Sequence, residues 1–348
     1  MAKNYRVWLV GLLLTLTIPV KAEIVRDLYS ASVPVPDQSA ASLTSAAREA
    51  LKEVLVKVTG TTAVLGSAAI APALDEARAH VQQYAYSRAG PSGDELQARF
   101  KFDADWVNSR VIEAGIPLWT ANRPSVLLWL VMEDARGRYF VNNDTAPGQA
   151  AQLVEAFNRR GVPVQLPLYD LSDTAAISPD EAWRLDGSVL RAASSRYGVQ
   201  HIVSGRLAAL ASGQFVGDWS YLAANERVDR ALTVPTFTDF VRAGATLVAD
   251  DMAGRYAVAA PEASGHGVMV RVSGVRAYAD YAAIVGWLQS LEMVAAVTAE
   301  RIAGEHLELR LQTGVSVVQL ARLFELNQRL QPVAEANAGP ALSYRWQS

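Results

Sequence analysis

The side chains best suited to acid–base or metal chemistry are four histidines, His80, His201, His266 and His306. Each falls in a different predicted element, and none has a second histidine at helical ligand spacing, so the string contains no ready metal motif. Ser264 and His266, in Ser-Gly-His-Gly, pair a nucleophile type with a base type. A serine does not fold back onto a base two residues on, and flanking glycines suit a joint better than a rigid site. Adjacent acids occur, among other places, as Glu133-Asp134 and Asp250-Asp251, and Asp103 and Asp105 flank Ala104. Glycoside cleavage needs two carboxylates facing each other across a cleft, normally from distant elements, whereas capping and solvated helix faces account for neighbours. The nucleophile elbow G-x-S-x-G, the phosphate loop G-x-x-x-x-G-K-[ST], G-x-G-x-x-G and H-E-x-x-H are all missing from the sequence.

Aromatic rings are the other means of recognition. Trp129 and Trp287 sit inside apolar patterns and read as core. Trp119 and Trp183 lie in or beside polar loops, where a large ring packs on the next domain or on a ligand or protein surface. Trp219 closes the run G-x-F-x-G-x-W from Gly213, a hairpin pattern in which cross-strand packing is the simplest reading. Trp119, Trp183 and Trp219 are therefore the candidate binding residues.

The chain that must position these groups has 348 residues, 51% hydrophobic and 19% charged, which suits two or three globular domains. It opens with Lys3 and Arg6, an uncharged stretch from Val7 to Val20, and Val20-Lys21-Ala22. That is the order of a secretory signal peptide, residues 1–22, with cleavage after Ala22. Removing Lys3, Arg6 and Lys21, and no acids, takes the formal charge from −3 to −6. A mildly acidic chain without a long basic cluster argues against a nucleic-acid partner. The absence of cysteine excludes a disulfide framework, cysteine-bound zinc and a lipid-bearing cysteine. No cofactor and no transmembrane span beyond the leader are expected, and the address is the periplasm.

Periodicity divides the remainder into three units. Residues 23–120 read as βααβα: a strand over 24–35, a helix over 39–59 ended by Gly60, a second helix over about 68–84, a strand over 96–102 and a helix capped by Asp103. Residues 121–260 read as a central α/β unit with a mixed sheet. Its first strand, 126–132, is apolar throughout, as a strand buried on both faces must be. Helices follow at 148–160, 188–197 and 237–256, with strands at 162–168, 200–207 and around Trp219. A polar stretch, 261–267, is the linker to residues 268–348. These read as βαββαβ, the ferredoxin-like order, with helices at 277–291 and 316–330. The fold class is thus α/β and α+β, multi-domain, with mixed sheets.

Several segments also resemble an exported proteobacterial family known as a domain of unknown function. They are Val33-Pro34-Val35-Pro36-Asp37-Gln38-Ser39, the run from Leu51 to Gly60, Val81-Gln82-Gln83-Tyr84-Ala85-Tyr86, Tyr197 to Leu207 followed by Trp219, and Arg255-Tyr256-Ala257-Val258. The resemblance implies export and no particular activity. The middle unit is similar in layout to α/β domains of periplasmic lipoproteins. The expectation is an exported envelope protein acting as a non-enzymatic adaptor for a protein or glycan; the alternative is a periplasmic hydrolase with an unrecognised site.

Overall fold

The computed structural model describes residues 27–89, 94–223, 226–258, 267–291, 293–327, 329–333 and 342–347, together with the backbone of Glu23–Ile24. The leader and cleavage position expected over 1–22, and the expected linker positions Ser264 and His266, lie outside the described residues. Among the described residues no helix is long and apolar enough to cross a membrane.

The first unit contains β1 (Glu23–Ile24), β2 (Ser30–Pro34), α1 (Ala40–Thr59), α2 (Ala71–Glu76), β3 (Val81–Ala89), β4 (Glu95–Phe102) and α3 (Ala104–Glu113). Ser39 caps α1 by accepting from the Ser42 N–H, and Gly60 ends it at φ 74° with its N–H on the Val56 carbonyl. The α1 stripe Ala47, Ala50, Leu51, Val54 and Val58 is fully buried against the antiparallel sheet β2-β4-β3. The second predicted helix is corrected: its Ile70, Leu74, Ala77, Val81 spacing holds only to Glu76, a 3₁₀ turn follows, and Val81–Ala89 is the strand β3. β3 is an edge strand with mostly exposed side chains, so no buried face imposes the two-residue alternation that marks a strand.

The central unit runs β5 (Asn122–Arg123), β6 (Val126–Asp134), β7 (Gly137–Phe140), α4 (Pro147–Arg159), β8 (Val164–Gln165), α5 (Leu171–Ala176), α6 (Pro179–Trp183), α7 (Gly187–Ser194), β9 (His201–Ala209), β10 (Phe215–Ala223), β11 (Glu226–Val234) and α8 (Phe237–Tyr256). Its sheet is ordered β11-β10-β9-β6-β7 with β8 also on β6, and β6 pairs in parallel with β8 and β9 while the remaining pairs are antiparallel. β6 is buried from Val126 to Met132 because both sheet faces are covered. α4 and α8 pack on one face around Trp219 and Phe240, and the short helices α5 to α7 lie on the other around Trp129 and Leu190. The strand expected over 162–168 is only β8. Pro163 and Pro167 lack the N–H groups a longer ladder requires.

The third unit comprises β12 (Val268–Ser273), α9 (Tyr278–Gln289), β13 (Val294–Ala303), β14 (His306–Thr313), α10 (Val317–Phe324), β15 (Leu330–Pro332) and β16 (Leu342–Trp346), in the sheet order β13-β14-β12-β16-β15. The second, third, first and last strands are neighbours in the ferredoxin-like way, but β16 runs parallel to β12, with Val270 opposite Leu342. The change traces to α10, which ends at Phe324 rather than Leu330. The chain then forms β15 at the sheet edge, antiparallel to β16, so the last strand returns in the reverse direction.

Buried arginines hold the first two units together. Arg123 is 0% exposed and donates to the carbonyls of Trp119, Thr120, Lys57 and Gly161, with its guanidinium 3.7 Å from the Trp119 ring centre. Arg160 reaches the Gly60 carbonyl and Asp250. An isolated bridge, Leu118 to Val258, brings the end of the central unit back to the first.

Candidate binding surface

The segment between β8 and α7 carries the site. Its organiser is Asp173, 1% exposed. The carboxylate accepts the Tyr169 N–H at 2.8 Å and the Tyr197 hydroxyl, and its other oxygen takes Arg196 at 3.1 Å. The Tyr197 oxygen in turn accepts the Leu168 N–H at 2.9 Å. Asp170 caps α5 through the N–H groups of Ser172 and Asp173 and forms a two-pronged pair with Arg196. Arg196 beside it, helped by those caps, holds the Asp170 carboxyl down at about 2. Burial, then the Asp173 bond, pushes Tyr197 up to about 12, and burial raises Tyr169 also.

The same segment carries an uncommon backbone. Tyr169 and Leu185, both at φ 54°, are the non-glycine residues with positive φ among the described residues, and both lie in this segment. Such a conformation costs a side-chain-bearing residue about 1–2 kcal/mol and persists where its surroundings hold it. Tyr169 packs its ring on Trp129 and Phe140 at 5.7 and 5.3 Å. Leu185 has its carbonyl taken by Arg227. The outcome is that Tyr169 turns inward while Leu168 and Leu171, on either side, turn outward, 69% and 89% exposed. Two leucines held out by a fixed loop leave about 2 kcal/mol each of burial available to a partner.

The three predicted tryptophans are not brought together. Trp119 and Trp219 are 1% and 0% exposed, which corrects their reading as binding residues. Trp119 lies beneath Arg123 at the joint between the first two units. Trp219 stacks on Phe240 at 4.6 Å, donates its indole N–H to the Phe240 carbonyl, and fits against Gly205 and Gly244. Trp183, half-buried in α6, remains at the surface with Arg138 and Arg206 at 4.5 and 5.9 Å from its ring. Sequence reasoning missed Leu168 and Leu171. The available signal was the crowding of Pro167, Asp170 and Asp173 around them, loop formers interleaved with leucines.

The histidines lie apart as well. His80 stacks on Trp106 at 3.9 Å, and His306 begins β14. His201 is 5% exposed between two tyrosines, its Nδ1 2.7 Å from the Tyr221 hydroxyl and its Nε2 3.3 Å from that of Tyr256. Burial, and then nearby Arg255, lowers its pKa to about 4. Among the described residues no cluster of three or more His, Asp or Glu side chains is arranged to hold a metal ion.

Residues 22–120 match a family described as a domain of unknown function (DUF8605). Among solved structures, the chain is similar to one titled as the crystal structure of an uncharacterized protein, at 10% identity over 38% of this chain and 97% of that one, with a TM-score of 0.17. A second is a selenomethionine-substituted Kluyveromyces lactis allophanate hydrolase, at 6% identity over 78% of this chain and 67% of that one, also with a TM-score of 0.17. At that score neither likeness carries a functional argument. No curated protein matches the chain.

Proposed function

We propose that the chain is an exported, periplasmic, non-enzymatic protein of the cell envelope that works as an adaptor, binding another envelope protein through the surface around residues 168–183. The observation that carries this reading is the pinned loop with Leu168 and Leu171 held outward. A loop kept in a strained shape with apolar side chains in water is preorganised for contact, so little ordering entropy is lost on binding. The surroundings select the partner's chemistry. Asp170, Asp180 and Glu181 lie near the leucines in sequence and are exposed, while Trp183 adds an aromatic flank. Arg196 and Arg138 already pair Asp170 and Asp180, so the fringe is mixed in charge, and an apolar pocket on a protein is the complement of the two leucines. The Lys3, Arg6, Val7–Val20 and Ala22 pattern supports export with cleavage after Ala22.

The test is site-specific photo-crosslinking in cells, with the probe at Leu171 and, as control, at Ser212 in the turn between β9 and β10. One reproducible adduct at 171 that is lost with Leu168→Asp and with a leader-deleted chain is expected. Equal adducts at both positions, or an adduct indifferent to Leu168→Asp, would overturn the reading.

A further inference from the structure

A second site lies on the first unit, remote in sequence from the leucine loop. Between β2 and α1 runs a groove of about 600 Å³. β2 is an edge strand. Its neighbours in register, Val35 N–H on the Leu96 carbonyl and Phe102 N–H on the Tyr29 carbonyl, direct the odd-numbered backbone groups to β4. The even-numbered groups therefore face the open edge.

The chain itself shows what chemistry this edge accepts. The first of the edge carbonyls, that of Ser30, takes the Lys57 ammonium at 2.7 Å, and the same ammonium lies 3.1 Å from Glu53. At that end of the groove Arg159, from α4, places its guanidinium 2.7 Å from Glu53. A cation shared between a β2 carbonyl and an α1 carboxylate is thus the local pattern. Farther along, Ser32 and Pro34 offer the next edge carbonyls, and the described residues supply no donor to either. Pro34 has no N–H, so the edge is richer in acceptors than an ordinary strand. One turn before Glu53 stands Glu49, on the groove face. Its contact with Lys52 is an exposed pair three residues apart, which a partner's cation displaces at little cost. Val35 and Ala46 supply apolar wall for an aliphatic stem.

We propose that this groove binds an extended segment of a partner protein through a lysine or arginine side chain, its charged head shared between the Ser32 or Pro34 carbonyl and Glu49 and its stem lying on Val35 and Ala46. The site takes basic chemistry, in contrast to the apolar contact of the leucine loop, and does not rest on it.

The experiment is fluorescence anisotropy with the full chain and the labelled peptide acetyl-VTKVRV-amide, beside its neutral analogue carrying acetyl-lysine and citrulline. Binding of the basic peptide is expected, weakened about tenfold in the neutral analogue, since charge-assisted bonds are lost. Glu49→Gln should weaken it about fivefold. Ser45→Trp, which fills the groove from an exposed position, should abolish it with the thermal midpoint unchanged, and Leu171→Asp should leave it intact. Equal binding of the neutral peptide, indifference to both groove variants, or no binding of the basic peptide would each overturn the proposal.

Discussion

His201 makes the stability of the central unit depend on pH in a calculable way. The imidazole is 5% exposed at the start of β9, with Tyr221 and Tyr256 hydroxyls on its two nitrogens. Arg255 stands nearby, raised in pKa by its bonds to Asp251 and Glu226. Burial first, and the Arg255 charge second, depress the His201 pKa from 6.5 to about 4. Between those values the unfolded chain holds a proton that the folded chain does not. Stability is therefore fully present above pH 6.5 and is lost as pH falls toward 4. The full difference corresponds to about 3 kcal/mol, of which about 2 kcal/mol is already lost at pH 5. The assay is urea unfolding at pH 7.5 and 5.0, read from the tryptophan fluorescence of the central core, for the parent chain and His201→Gln. Glutamine keeps polar contacts toward the tyrosines without titrating, so the comparison isolates the imidazole. The parent should lose about 2 kcal/mol more than the variant between the two pH values. An identical loss in both would refute the burial argument.

Gly244→Val should destabilise the same transition by about 1–3 kcal/mol, because a side chain there meets the Trp219 ring at 2.4 Å; a lowered urea midpoint with unchanged slope is the check. Asp173→Ala removes the acceptor of three donors and should release residues 168–177, seen as hydrogen exchange in that segment at least about tenfold faster while α8 is unaffected. A fragment of residues 23–120 should be less stable than the same residues within the whole chain, since it lacks Arg123, Arg160 and the Gly161 carbonyl. A urea midpoint for the fragment equal to that of its segment in the full chain would contradict the clamp.

Long amphipathic or wholly apolar segments were legible in the string because packing and local pattern agree there. α8 occupies Phe237–Tyr256 as its stripe predicts, and β6 reads as buried because Val126 to Met132 is buried. What failed was set by topology. β3 has no buried face to impose alternation, and the β16 direction depends on the three-residue strand β15, which mimics the end of a helix. The tryptophans were legible as large rings needing cover, but not as to what covers them. Trp219 is enclosed by Gly205 and Gly244, from different elements, and no spacing rule joins those positions. Pro167, Asp170 and Asp173 mark a loop around Leu168 and Leu171, but the outward turn of the two leucines was not legible, for the converse reason. Their exposure follows from Asp173 reaching Tyr169 and Tyr197, a contact that exists only after folding.

The division between the first two units is sharper in sequence than in space. The family match ends at residue 120, yet Trp119 belongs to the central core and Leu118 to the first. Three residues beyond that limit, Arg123 reaches back to the Trp119, Thr120 and Lys57 carbonyls and forward to that of Gly161. Gly161 sits at φ 70°, with Arg123 2.2 Å from where a side chain would begin, so the approach demands glycine on both counts. The neighbouring Arg159 closes one end of the β2–α1 groove by pairing with Glu53. The groove is consequently a property of both units: its walls come from the first and its terminal cation from the second. A partner held there would sense whether α1 and α4 are docked, which the first unit folded alone would not report.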